Sequence, residues 1–145
     1  MKACTFFGHR DCPNTIKEKL QDVLEELIIH HHVDTFYIGN QGQFDALVYR
    51  TLQELKKPHP HIRVTVVLAY IPGKKTEDDH YDDTILPDGI ESIPPRYAIS
   101  YRNDWMLKKA DYVVTYITHP FGGAAQYAEK AIRQKKPVIN LVDTQ

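Results

Sequence analysis

With 145 residues, 42 % hydrophobic and 26 % charged, the chain has the composition of one folded domain, and disorder, collagen and coiled coil are excluded. Eighteen lysines and arginines against nineteen acids leave a formal charge of −1, without the basic surplus expected of a general nucleic-acid binder. No apolar run reaches spanning length and no signal-like core precedes the first strand-like segment, so a soluble cytoplasmic protein with no membrane partner is expected.

Short β-rich runs alternate with longer helical ones. Ala3 to Phe7 is apolar and ends at Gly8. From Asn14, a predicted N-cap, the period changes, and Ile16, Leu20, Val23, Leu24, Leu27 and Ile28 fall on one helical face. Thr35 to Ile38 reads as a strand stopped by Gly39. Phe44, Leu47, Val48, Leu52 and Leu55 mark a second helix, closed by Pro58 and Pro60. Val64 to Tyr70 is a continuous apolar run, as in a strand buried on both faces. A helix is predicted over Ala98 to Ala110, a strand over Tyr112 to Ile117, a helix over Ala124 to Gln134 and a last strand over Val138 to Val142. This order predicts a single α/β, Rossmann-like, doubly wound domain: a mainly parallel sheet of five strands or slightly more, with helices on both faces.

One segment breaks the rhythm. Between Lys75 and Arg96 stand seven acids (Glu77, Asp78, Asp79, Asp82, Asp83, Asp88, Glu91) and no lysine or arginine. The insertion, at about 73–95, reads as a solvated surface loop or, since it follows the third strand, as a lid over the strand ends.

In such sheets ligands bind beyond the carboxyl ends of the strands, where the strand order reverses. Gly8, Gly39, Gly42, Gly122 and Gly123 fall in the loops leaving the first, second and fourth main strands. There they suit tight turns or close approach of backbone amides to a phosphate at a helix N-terminus. His9 and Arg10 follow the first strand, and the arginine suits a phosphate or an ordinary surface ion pair. Asn40 and Gln41 carry donors and an acceptor fit for base or ribose, while Asp45 reads equally as a ligand group or as an acid favoured in a helix's first turn. Arg102 and Asn103 on the third long helix, Phe121, Ala124 and Gln126 around the start of the last, and Tyr70 and Arg96 beside a strand end and a helix start complete the candidate ligand-binding set. Gln126 and Glu129 share a face near the start of the last helix, but Glu129 also sits four residues before Arg133, as in a surface ion pair. Trp105 reads as core. The adjacent histidines His30, His31 and His32 point in different directions on a helix, so no metal is assigned, and neither two-cysteine spacing nor any other pattern calls for a cofactor.

With these residues in view, the chain resembles the SLOG superfamily of Rossmann-like proteins, and within it the YpsA-like branch. Thr5 to Arg10 is similar to the family's opening strand and Gly-His-Arg turn, and Gly39 to Ala46 to its second glycine loop. Arg102 to Met106, Ala110-Asp111, Gly122-Gly123 and Tyr127-Ala128 are similar to its carboxyl-terminal half. The likeness covers nearly the whole chain outside the acidic segment. It implies a nucleotide or nucleotide-derived ligand, such as an NAD or ADP-ribose derivative or a cyclic nucleotide, held at the strand ends by a sensor or sequestering protein. It also implies a homodimer or higher homo-oligomer.

The enzymatic LOG branch of that superfamily offers the alternative, a phosphoribohydrolase that cleaves the N-glycosidic bond of nucleoside 5′-monophosphates. Arg102 and Met106 match its Arg-Lys-x-x-Met motif with Asn103 in place of the lysine. Gly122, Gly123 and Glu129 match its Pro-Gly-Gly-x-Gly-Thr-x-x-Glu motif, and the resemblance implies Glu129 and Arg102 as the catalytic pair. Phe121 separates Pro120 from the glycines, Ala125 stands for a glycine and Gln126 for the threonine. Single-strand DNA binding, known elsewhere in the superfamily, is disfavoured by the near-zero charge.

Overall fold

The computed structural model describes residues 1–70, 81 and 83–142. Its strands are β1 (Ala3–Gly8), β2 (Thr35–Ile38), β3 (Arg63–Val67), β4 (Thr84–Ile85), β5 (Tyr112–Tyr116) and β6 (Val138–Asn140). Its helices are α1 (Lys17–His30), α2 (Gly42–Leu55), α3 (Pro95–Lys109) and α4 (Gly123–Arg133). All six strands are parallel, in the order β4-β3-β2-β1-β5-β6. From β1 the chain steps outward through β2, β3 and β4. It then crosses back by α3 to place β5 on the other side of β1, so the order reverses between β1 and β5. The doubly wound α/β class predicted from the alternation is the observed one.

Alternation along β1 builds both layers. Cys4 and Phe6 point to one face, where Leu20, Leu24 and Leu27 of α1 and Phe44, Leu47 and Leu52 of α2 join Phe36 and Ile38 in the larger core. Phe7 points to the other face and packs with Val67, Met106, Leu107, Val113 and Ala131. A strand flanked on both sides must be apolar on both, which is why Ala3 to Phe7 shows no polar–apolar alternation. The one polar side chain in that run, Thr5, is fully buried and donates to the Tyr37 carbonyl at 2.8 Å. Trp105 is partly buried and packs against the Phe7 core rather than inside it, edge-on to Tyr37 with ring centroids 5.2 Å apart.

Three local expectations change. Asn14 does not cap α1. The extended Pro13 opens a 3-10 turn closed by the Ile16 amide on its carbonyl (3.3 Å), and Asn14 Oδ1 accepts from Arg50 instead. Helix α3 begins three residues early, because Pro95 occupies its first position, where a missing N–H costs nothing. The acidic segment also supplies a sixth strand: Val66 and Leu68 donate to the carbonyls of Asp83 and Ile85, and Asp83 accepts from the Thr65 hydroxyl at 2.8 Å. Glu77, Asp78, Asp79 and Asp82, on which the lid reading depends, lie outside the described residues. Among the described residues no helix is long and apolar enough to cross a membrane.

The end of β1 is tightly set. A Cβ on Gly8 would stand 2.2 Å from Cδ2 of Phe44, far inside contact distance. Gly8→Ala is therefore expected to force α2 off the sheet and cost about 1–3 kcal/mol, read as a lowered midpoint in chemical denaturation.

Candidate functional site

A crevice of about 300 Å³ opens over the carboxyl ends of β1 and β2, at the strand-order reversal. Its walls come from the loop after β1 (Gly8, His9, Arg10), the loop and first turn after β2 (Gly39, Gln41, Asp45), α3 (Arg102, Asn103) and the start of α4 (Gly123, Ala124). Residues far apart in sequence meet here because parallel topology brings every such loop to one sheet edge.

Arg102 forms the floor. Helix α3 buries Ala98, Arg102 and Met106 at four-residue spacing, so the guanidinium stands in the middle of an otherwise apolar row and is only 2 % exposed. Its Nη1 donates to the Val67 carbonyl at 3.1 Å and to Asn40 Oδ1 at 3.4 Å, and Nε donates to Asn103 Oδ1 at 2.9 Å. Among the described residues Nη2 has no hydrogen-bond partner. Burial pulls the Arg102 pKa down and Asp45 opposes that shift; a guanidinium keeps its charge all the same.

Asp45 faces Arg102 across the end of β2. A Cβ on Gly39 would stand 2.9 Å from Asp45 Oδ2 and 3.1 Å from Arg102 Cζ, so only a glycine lets these two groups close over the strand. The half-buried Asp45 accepts the Gln41 amide at 2.9 Å, anchoring the first turn of α2 as well as lining the crevice. Desolvation by the surrounding protein pushes its carboxyl up to about 6, against the opposing pull of the Gln41 amide, Arg102 and Arg10.

At the mouth, Gly42 has φ +91° and a Cβ there would stand 2.9 Å from the Arg10 Cα. The two loops are thus in backbone contact, joined by Gln43 N–H to the Arg10 carbonyl (2.8 Å) and Arg10 Nη2 to Gln41 Oε1 (3.1 Å). On the far side α4 starts after Gly122, at φ +96°, with no side-chain cap. The first amides of a helix have no partner inside it. Here they open beside Gly123 and Ala124, with empty space around Gly122 and Gly123.

Of the candidate ligand-binding residues, Gly8, His9, Arg10, Gly39, Gln41, Asp45, Arg102, Asn103, Gly123 and Ala124 meet in this one crevice. Asn40 stands behind it, holding Arg102, and Gly42 supports Arg10. Phe121 and Gly122 are exposed just before α4. Tyr70 lines a separate hollow with Ile90 and Ala98 and donates to the Pro95 carbonyl at 3.2 Å. Arg96 lies over the Tyr97 ring on the surface. Gln126 and Glu129 line another groove with Lys130 and Arg133, and Glu129 pairs with Arg133 at 3.6 Å, its side chain 72 % exposed. Sequence reasoning passed over Phe6, Phe7, Ile99 and Met106, the apolar part of the lining. The signal for two of them was spacing, since Ile99 and Met106 lie three before and four after Arg102 on one helix.

No protein-family model matches the chain, and no curated protein matches it.

Proposed function

We propose that the chain binds a nucleotide or nucleotide-derived small molecule in the crevice between the β1, β2, α3 and α4 loops, as a sensor or sequestering protein. One observation carries this reading: a buried guanidinium with a donor that has no partner among the described residues shares a cavity with the uncapped amino end of a helix. Each favours an anion, and together they suit a phosphate. Polar groups of Gln41, Asn103 and Asp45 stand in the same cavity and suit a sugar or base. The volume, about 300 Å³, is at the lower end of the range for small-molecule sites. SLOG membership, proposed from the Gly-His-Arg turn and the two glycine loops, agrees with that ligand class. It brings with it a homodimer, which light scattering after size exclusion reads directly.

Mass spectrometry of the purified protein after incubation with AMP, ADP, ADP-ribose and cyclic nucleotides tests the reading. Intact ligand recovered on denaturation is the expected result, and no retention across the panel would overturn it. The hydrolase alternative requires a carboxylate beside Arg102, and the one in the crevice is Asp45 rather than Glu129. Glu129→Ala is accordingly expected to leave retention unchanged within twofold and stability within about 0.5 kcal/mol, the size of an ordinary surface change. Free base accumulating in the wild type and lost in this variant would establish the hydrolase instead.

A further inference from the structure

A column of aromatic rings leads outward from the crevice wall. His9, which lines the crevice, lies flat on His119 with ring centroids 3.7 Å apart and planes 4° from parallel. Phe121 packs on His119 with centroids 4.0 Å apart and a 33° tilt. That separation is too short for an edge-on neighbour, and His9 already covers one face of His119, so the imidazole is sandwiched. Tyr116 meets His9 from the side, and the His9 amide is tied to the Tyr116 carbonyl at 3.1 Å. Among the described residues the buried His9 Nε2 has no hydrogen-bond partner, and the ring is held there by stacking. The outer ring, Phe121, is 67 % exposed, more than Tyr97 or Tyr70. A lone exposed apolar residue needs no explanation, but one backed by two stacked rings, the inner of which lines the crevice, is a fixed platform.

From these contacts we infer that Phe121, backed by His119 and His9, is the stacking subsite for the planar base of a purine nucleotide whose phosphate lies at Arg102 and the α4 amides. The inference rests on the nucleotide reading above. Reach agrees with it: Gly123, at the crevice, lies two residues beyond Phe121. Their Cα atoms are therefore at most about 7 Å apart. Gly122, with its positive φ, makes the turn between the two subsites. A phenyl face presents no hydrogen-bonding pattern, so it would hold any purine, and discrimination would fall to the polar groups inside.

Calorimetry with two probes that share ribose and phosphate, AMP and ribose 5-phosphate, tests the subsite. Wild type is expected to bind AMP the more tightly. Phe121→Ala should weaken AMP by roughly 5- to 150-fold, the range for one stacked base, and leave ribose 5-phosphate within twofold; Phe121→Trp should retain AMP. His119→Ala should weaken AMP through loss of the backing ring and His119→Phe should restore it, which marks His119 as a positioning residue. Equal binding of the two probes by wild type, or equal weakening of both by Phe121→Ala, would overturn the stacking subsite and leave the crevice reading standing. Binding of neither probe would overturn the subsite, and the crevice reading would fall with it where the whole nucleotide panel also went unretained.

Discussion

Arg102→Met is expected to abolish retention of every phosphate-bearing ligand while leaving a folded protein. Ala98, Arg102 and Met106 are all buried on α3, so methionine continues an apolar stripe and fills most of the space that the arginine leaves. What it cannot replace is charge. A hydrogen bond to an ionised partner contributes about 1.5–3 kcal/mol, and the phosphate would also meet Asp45 without the cation that now offsets it. A loss of about 10- to 150-fold in affinity for ADP-ribose follows from that bond alone, and the uncompensated Asp45 adds to it. The stability cost is about 1–3 kcal/mol, because the Val67 carbonyl loses its donor while Asp45, already pushed up to about 6, can take a proton instead of remaining an unpaired charge. Arg102→Lys separates charge from geometry. It keeps the cation, but a single ammonium cannot serve Asn103, Asn40 and Val67 together as the planar guanidinium does. Its affinity should fall between wild type and Arg102→Met. Thermal shift and calorimetry on the three proteins check both halves, and unchanged affinity in Arg102→Met would remove the phosphate from the crevice floor.

The parallel sheet was legible because its central strands are apolar on both faces and its helices carry a clear 3.6-residue stripe; Leu20, Leu24 and Leu27 could hardly read otherwise. Strand β4 was not, since Thr84 and Ile85 are two exposed residues inside an acidic run. Only their pairing with β3 makes them a strand. The glycine loops were legible as a class, whereas the reason for Gly39 was not. It lies in the gap that Asp45 and Arg102 need, and those two stand 57 residues apart along the chain. Arg102 itself left a trace, a charge at the centre of a helical apolar row, which a soluble helix tolerates only with partners. Glu129 left two readings of equal weight, and the structure shows it paired with Arg133 in a groove of its own. His119 left none, because stacking on His9 depends on how the loops after β1 and β5 meet, and no local pattern encodes that.

Asp45→Asn is expected to make the protein more stable at pH 7.5 and to erase a pH dependence of ligand affinity. In the fold the carboxyl rises from an ordinary value of 3.8 to about 6, chiefly through desolvation. The native state therefore binds more protons than the unfolded chain between about pH 4 and 6, and stability falls as pH rises through that window. Above it, the native state carries the whole cost of the charge, up to about 3 kcal/mol at 1.36 kcal/mol per unit. Asparagine keeps an acceptor for the Gln41 amide and carries no charge, so a gain of about 1–3 kcal/mol at pH 7.5 is expected, shrinking towards zero near pH 4. Ligand binding follows the same sign. An anion placed beside Asp45 disfavours its charged form, so the complex takes up a proton, and affinity should fall as pH rises from 6 to 8, at up to tenfold per unit. ADP-ribose is the probe of choice because its pyrophosphate does not titrate in that range. His9 faces the same crevice, but burial and the neighbouring His119 hold its pKa below the usual value, so it stays neutral over most of the window. In Asp45→Asn the slope should vanish and affinity at pH 7.5 should rise. A slope that survives the substitution would place the titrating group elsewhere, and a rise of affinity with pH would show that the ligand approaches Asp45 with a cation rather than a phosphate.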